Sequence, residues 1–311
     1  MGLLKREAMI ISAKICNDHT NIHCILCGSN KYVTSSLGKD FFLFKCLQCG
    51  LCCSNALFSE DIGALYTKDY YLSWGMVDAD ESSARIIKAI TFEKRLLQIE
   101  RYLQTGKILD VGCATGFFLE VAKKRGWQPF GVEVNEYAAG IAGKRFGNAI
   151  TCDSFEKANY GSAYFDAVIM CDLLEHLRDP LTSLIKANKI LKLGGILSIT
   201  SPNIESLTSK LCWKFWPHYK KEHLYYFSPA TIKQMLQLAG CDIIEIRPAV
   251  KALNLEYLRE QFNVYNKYLP STRIFSLFSR LLPIRLRRKP FLVCIGEMTI
   301  IAKKTKELNE D

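Results

Sequence analysis

The chain has 311 residues, 49% of them hydrophobic and 23% charged, with 41 Lys and Arg against 31 Asp and Glu for a net charge of +10. No apolar run is long enough to span a bilayer, which excludes an integral helical membrane protein, and the length suits one large globular domain with a small appendage. The positive balance favours an anionic partner, such as nucleic acid, a nucleotide-linked substrate or a lipid surface, without choosing among them.

The opening residues, Met1-Gly-Leu-Leu-Lys-Arg6, carry basic groups, but their apolar run is short and no small-residue cleavage site follows. Arg6 stands where a myristoylation signal requires Ser or Thr, and the expectation is a cytoplasmic protein. Seven of the 13 cysteines precede residue 54. That clustering points to a metal site in a reduced compartment and away from a disulfide framework.

Residues 24 to 49 hold two knuckles, Cys24-Ile-Leu-Cys27-Gly and Cys46-Leu-Gln-Cys49-Gly, 18 residues apart. Two thiolate pairs on tight turns, each followed by a glycine, predict a closed tetrahedral site for structural zinc on Cys24, Cys27, Cys46 and Cys49. Tyr32, Val33 and Phe41 to Phe44 would form the hairpin of a zinc ribbon. Cys52 or Cys53 could replace Cys49, and an iron–sulfur site is the rival reading; a redox role fits less well, because no thioredoxin-like pattern surrounds the knuckles. The predicted organisation is an N-terminal segment and ribbon over 1–56, a linker over 57–80, a catalytic domain over 81–304 and a tail over 305–311.

The linker ends in the aromatic cluster Tyr66-Thr-Lys-Asp-Tyr-Tyr71. From 81 to 104, Ile86, Ile87, Ile90, Leu96, Leu97 and Ile99 recur at helical spacing, and Gly106 should stop that helix. Lys107-Ile-Leu-Asp-Val-Gly-Cys-Ala-Thr-Gly-Phe117 then reads as a buried strand, a glycine turn and a helix start. The turn lacks two glycines of the dinucleotide fingerprint, having Ala114 and Phe117 in their places. Asp110 would repel a pyrophosphate but suits a cationic amino group, and Glu133, about twenty residues on, stands where an acid takes ribose hydroxyls. A ribose and an ammonium without a diphosphate describe S-adenosylmethionine.

Strands over 128–134 and 148–153 alternate with helices over 117–125 and 136–146, as in a parallel sheet. Asp153 ends the third strand, where it could accept from an adenine amino group or merely cap a helix. Phe165 to Cys171 should be a central strand carrying Asp172. Asp179-Pro180 start a helix that Gly194-Gly195 should end, followed by a strand over 196–201. Residues 204–227 form an insertion rich in aromatic and basic groups, Ser228-Pro229 begin another helix, and strands follow over 242–247 and 298–303. The extra segment 251–292 is an amphipathic basic stretch, read as a lid, a solvated helix or, through 277–290, a peripheral membrane contact.

Through DVGCATG, GVEVNE, the Thr151-Cys-Asp-Ser stretch and CDLLEHLRDP, the sequence resembles the class I S-adenosylmethionine-dependent methyltransferases over roughly residues 80 to 250. The resemblance implies an α/β, Rossmann-like, mostly parallel seven-stranded sheet with a small N-terminal zinc-ribbon module. It also implies a cofactor site formed by Asp110, Gly112, Cys113, Gly116, Phe117, Glu133, Val134, Asp153, Ser154 and Asp172.

With TKDYY and the EHLYYFSP stretch added, the chain looks like the zinc-ribbon methyltransferases that act on sugars, including sugar C-methyltransferases. That likeness implies an acceptor site of Tyr71, His176, Glu222 and His223, with Glu222 orienting the His223 imidazole. Lacking the further carboxyl-terminal domain of the carbon-methylating enzymes, the chain is expected to methylate a hydroxyl of a sugar, nucleotide-linked sugar or other small molecule. An RNA methyltransferase is the rival enzyme, although Asp172 begins no Asp-Pro-Pro-aromatic turn and no proline precedes a cysteine. A non-catalytic S-adenosylmethionine-binding protein is the rival outside catalysis.

Overall fold

The computed structural model describes residues 23–59, 83–265 and 282–307. Tyr71, nearly all of the predicted linker, and Leu277, Phe278 and Leu281 lie outside the described residues.

Among the described residues, two main sheets are accompanied by a two-stranded one. The larger has seven strands in the order β6-β5-β4-β7-β8-β13-β10, comprising β4 (Lys107–Val111), β5 (Gln128–Glu133), β6 (Ile150–Cys152), β7 (Phe165–Cys171), β8 (Leu191–Pro202), β10 (Cys241–Pro248) and β13 (Glu297–Lys304). The first five run parallel, and β13 lies antiparallel between β8 and β10. This is the parallel sheet expected from the alternating pattern, in the Rossmann-like, seven-stranded form that the resemblance implies. The reversal of strand order at β4 opens a crevice beyond the strand carboxyl ends.

Helix α1 (Ser83–Ile99) precedes β4 and buries Ile87, Leu96 and Ile99 while leaving Ile86 and Leu97 exposed. It ends at Ile99, short of the predicted 104, because the chain turns so that Arg101 and Tyr102 reach Glu245 on β10 at 2.7 and 2.9 Å. Helices α2 (Phe117–Lys124) and α3 (Glu136–Phe146) follow β4 and β5. Asn135 caps α3 by accepting from the Ala138 amide.

Helix α4 (Pro180–Ile190) starts at the predicted Asp179-Pro180 cap but stops before Gly194-Gly195. Those glycines sit inside β8, in a bulge where Phe165 pairs with Leu191 but Ala167 with Ile196. Gly194 has φ +82°, and a Cβ on Gly195 would meet the Lys192 carbonyl at 2.8 Å, so both glycines serve the bulge.

The smaller sheet has four strands in the order β1-β2-β3-β9. Three come from the cysteine-rich segment: β1 (Tyr32–Ser36), β2 (Phe42–Cys46) and β3 (Cys52–Ser54). The fourth, β9 (Tyr225–Tyr226), comes from the 204–227 insertion, which also contains the short helix α5 (Leu207–Cys212). Cys52 pairs with Tyr226 and Cys53 with Tyr225. The ribbon and the catalytic domain therefore share a sheet, and Phe44, Leu51 and Cys53 belong to the same buried cluster as Leu224 and Phe227. After β9, helix α6 (Pro229–Leu238) carries a capping box on Ser228 and Thr231.

The segment after β10 holds β11 (Lys251–Leu253), α7 (Leu255–Tyr265), the one-turn α8 (Ile284–Arg287) and β12 (Phe291–Val293), with β11 and β12 paired antiparallel. Among the described residues, no helix is long and apolar enough to cross a membrane.

Gly131 shows how the crevice is held together. A Cβ there would lie 2.6 Å from Cys113 Sγ and 2.9 Å from Leu119. Gly131→Ala should destabilise the fold by about 1–3 kcal/mol in urea denaturation, since overpacking a filled core forces neighbours out of place. Adding Cys113→Ala should recover most of that loss; no recovery would show that Leu119, and not Cys113, is the obstacle.

Candidate active site

The loop Gly112 to Gly116 crosses the carboxyl end of β4. Gly112 and Gly116 have φ +75° and +80°, and Ala114, at φ +47°, carries a left-handed backbone without the freedom of glycine. Gly112 and Cys113 donate their amides to the Val132 carbonyl at 2.8 and 3.1 Å. Ala114 donates to Glu133 Oε2 at 2.9 Å, while Glu133 Oε1 accepts from the Asn135 amide at 2.9 Å. Glu133 thus faces the loop from the end of the neighbouring strand. Cys113 packs its side chain inward beneath Gly131, leaving only its backbone at the loop.

Asp110 and Glu133 are each 5% exposed. Burial, reinforced by the Glu133 charge and opposed by Arg95, pushes Asp110 up to about 8. Asp153 and Ser154 follow β6, half-buried, with the Ser154 amide donating to Asp153 Oδ1 at 2.7 Å. Val134 is exposed beyond β5, and Phe117 opens α2 with Arg85 over its ring at 4.2 Å. The sequence-predicted cofactor residues are thereby brought to the carboxyl edge of β4, β5, β6 and β7, four strands that adjoin in the sheet.

Asp172 follows β7 with φ +53°, a strained conformation for a non-glycine residue. Arg95 approaches its Oδ2 at 3.3 Å and Lys251 at 3.7 Å. Burial works to raise the Asp172 pKa, but Lys251 and then Arg95 outweigh it and hold the carboxyl well below its usual range. Lys251 also pairs with Glu297, which lies 3.7 Å from His218. Arg95, Lys251, Glu297 and His218 were not singled out from the sequence. Only His218, inside an aromatic and basic insertion, carried a visible signal.

Beside this chain of charges the structure places His176, His223 and Glu175 together. The imidazole centroids are 4.7 Å apart, edge to face. His176 Nδ1 donates to the Glu222 carbonyl at 3.0 Å. The Glu222 carboxylate lies 3.9 Å from Lys220, so Glu222 anchors His176 through its backbone, where its side chain was expected to orient His223. His223 is 3% exposed and its Nδ1 has no hydrogen-bond partner. Burial first, then Lys220, lowers His176 to about 4; burial, His176 and Lys220 take His223 well below its ordinary value. Glu175 accepts from the Ser201 hydroxyl at 2.9 Å and is pushed up to about 8 by burial and Asp172. Its place next to His176 in CDLLEHLRDP was the signal that could have found it.

The ribbon braces this cluster. Ser54 donates its hydroxyl to the His223 carbonyl at 2.7 Å and its amide to Leu224 at 2.9 Å. In the ribbon itself the sulfurs of Cys24, Cys27, Cys46 and Cys49 all lie within 4.8 Å of one another, with Cys24–Cys49 at 3.5 Å and Cys27–Cys46 at 3.6 Å. A tetrahedral zinc–thiolate set has edges of about 3.8 Å, so the four thiols fit that ion. Gly28 and Gly50 close the knuckles in the left-handed conformation. Cys52 and Cys53 lie in β3, outside this group.

A family model for a methyltransferase domain matches residues 85–246. A ubiquinone biosynthesis O-methyltransferase of Thiobacillus denitrificans is 25% identical over 168 residues, which cover 48% of this chain and 72% of that one. One of the same name from Idiomarina loihiensis is 29% identical over 153 residues, 45% of this chain and 63% of that one. A solved structure from Pyrococcus horikoshii shares the fold with a TM-score of 0.50 at 14% identity, covering 76% of this chain and 99% of that one.

The raised pKa of Asp110 gives a signed prediction. A carboxyl that stays protonated in the fold but ionises when unfolded contributes stability below about pH 4, and loses it as pH rises toward about 8. Asp110→Asn, which cannot ionise, should therefore gain on the ligand-free wild type as pH rises, by at most roughly 1.4 kcal/mol per pH unit. Thermal denaturation from pH 5 to pH 8.5 reads this directly, and a pH-independent difference would count against it.

Proposed function

We propose that this chain, which belongs to the methyltransferase-domain family and is an S-adenosylmethionine-dependent methyltransferase, places the methyl group on a hydroxyl oxygen of a small-molecule acceptor. The observation that carries this reading is the group of buried Glu175, half-buried His176 and buried His223, next to Asp172 and set against the crevice mouth. The names of the curated relatives support oxygen as the acceptor atom. The sugar or nucleotide-linked sugar rests on the likeness of the EHLYYFSP stretch.

In this reading the nucleoside lies across the Gly112 to Gly116 loop. Glu133, held toward the loop by the Ala114 and Asn135 amides, takes the ribose hydroxyls. Asp110 and Asp172 face the cationic amino-acid end, Asp153 and Ser154 the adenine, while Cys113, Phe117 and Val134 shape the loop and strand ends around it.

S-adenosylmethionine supplies a methyl carbon already attached to its leaving group, so the chain has two tasks, alignment and disposal of the hydroxyl proton. Alignment alone is worth ~7–11 kcal/mol of the barrier. His176 and His223 are kept neutral by burial and present lone pairs to the hydroxyl. Imidazoles so strongly shifted are weak proton acceptors by themselves, so ionising the hydroxyl calls for further positive charge at the cluster. Glu222 holds His176 by its carbonyl, and Tyr71 is assigned to the acceptor side by the sequence likeness alone.

Zinc on Cys24, Cys27, Cys46 and Cys49 has a structural role here: it stiffens the ribbon whose β3 holds the backbone of residues 224–226. Incubation with labelled S-adenosylmethionine and panels of nucleotide-linked sugars and hydroxylated aromatic compounds tests the reaction, and label found only in RNA would contradict it. His223→Ala should lower turnover by at least ~100-fold, in line with loss of acid–base assistance, with cofactor affinity unchanged by calorimetry. Cys27→Ser should release the ribbon metal and depress turnover far more than cofactor binding; an equal loss of both would argue that the ribbon supports the whole domain.

A further inference from the structure

We propose that Glu175, His176 and His223 form a binding site for a divalent metal ion of the zinc class, separate from the cysteine site of the ribbon. Its existence stands on geometry alone, while its role at the acceptor hydroxyl rests on the function proposed above.

The donor atoms of the three residues lie within 4.8 Å of one another. Ligands at about 2.0–2.2 Å around a shared ion stand roughly 3–4 Å apart, so small side-chain rotations would close the set. One imidazole is already tied to the backbone: His176 Nδ1–H donates to the Glu222 carbonyl, which makes Nε2 the acceptor nitrogen of that ring. The buried Nδ1 of His223 has no hydrogen-bond partner. For His176 this is the outer-shell arrangement that metal-binding histidines need, one N–H fixed on a carbonyl so that the other nitrogen can take the ion.

An unpartnered ring nitrogen in a residue only 3% exposed is costly unless something fills it. An apolar neighbour would leave that cost in place, whereas a cation removes it and also neutralises the carboxyl of Glu175. The Ser201 hydroxyl holds one Glu175 oxygen at 2.9 Å and so orients the other. Nearby cations do not preclude the ion, because Lys220 is paired with Glu222 and Lys251 with Asp172 and Glu297. Two imidazoles and one carboxylate are a borderline donor set suited to zinc, cobalt or iron, and three protein ligands leave positions open for a substrate oxygen. With both ring lone pairs on the ion, the imidazoles would act through the metal and not as proton acceptors: the dication would lower the pKa of a bound hydroxyl, whose proton would leave to solvent.

Equilibrium dialysis of the full chain against buffered zinc should give two ions per chain. Glu175→Gln and His223→Gln should each weaken the second ion at least tenfold. Replacing both ions with cobalt should give thiolate charge-transfer bands for one of the two only, and those bands together with unchanged S-adenosylmethionine binding show that a variant is folded. Should a variant not fold, copper added to the zinc-ribbon form of the wild type should show two imidazole nitrogens by pulsed electron paramagnetic resonance.

A single zinc per chain, a second ion indifferent to both substitutions, or a copper spectrum without imidazole coupling means an adventitious ion only, and overturns the site. Full-rate methyl transfer by a folded Glu175→Gln chain lacking the second ion would remove the metal from the reaction and leave the methylation reading standing. A filled site in a chain that methylates no hydroxyl compound would do the reverse.

Discussion

Two residue pairs, Cys52 with Tyr226 and Cys53 with Tyr225, join the cysteine-rich ribbon to the catalytic domain through backbone hydrogen bonds. The cluster at the crevice mouth depends on this short ladder. His223 lies two residues before β9, and its carbonyl is held by Ser54 from the ribbon side. Glu175 extends the tie from the other side, its carbonyl accepting from the Leu224 amide at 2.8 Å. A hydrogen-bonded path therefore runs from the ribbon through residues 223–224 to the end of β7. The ribbon is too small to keep its shape by apolar burial alone, so a metal at its thiols would in turn keep that path in place.

The second constraint is crowded charge at the strand ends. Arg95 acts on Asp110, Asp172 and Glu297, Lys251 on Asp172 and Glu297, while Glu175 faces Asp172 and Glu297, and the outcome differs from one carboxyl to the next. Asp172, touching both cations, stays ionised; Asp110 and Glu175, surrounded mainly by packing and other acids, are pushed up to about 8. Carboxyls that resist ionisation while the crevice is empty favour a ligand that brings positive charge. A sulfonium-bearing amino acid fits that requirement at Asp110, and a dication fits it at Glu175.

Much of this was legible because it is local. Helix α3 follows from the alternation of strands and helices, α4 and α6 from the cap-then-proline grammar at Asp179-Pro180 and Ser228-Pro229, and the glycine loop from its turn chemistry. The ribbon knuckles were readable for the same reason, each closing within five residues. What the sequence hid is long-range. Ser54 and His223 are 169 positions apart, and no pattern in either stretch announces the pairing. Gly194-Gly195 has the composition of a helix stop, yet the strand register of β7 and β8 makes it a bulge. Arg95 and Lys251 look like ordinary surface cations in the sequence; only the packing of α1 and β11 carries them to Asp172.

The central claim is that one crevice presents a nucleoside at the β4–β5 loop and a reacting oxygen at the histidine cluster. A crystal structure with S-adenosylhomocysteine bound tests it most directly. The account predicts ribose hydroxyls on Glu133, the amino group near Asp110, and the sulfur facing the space in front of Glu175, His176 and His223. A ligand whose sulfur points away from that space, or one bound elsewhere on the chain, would contradict it.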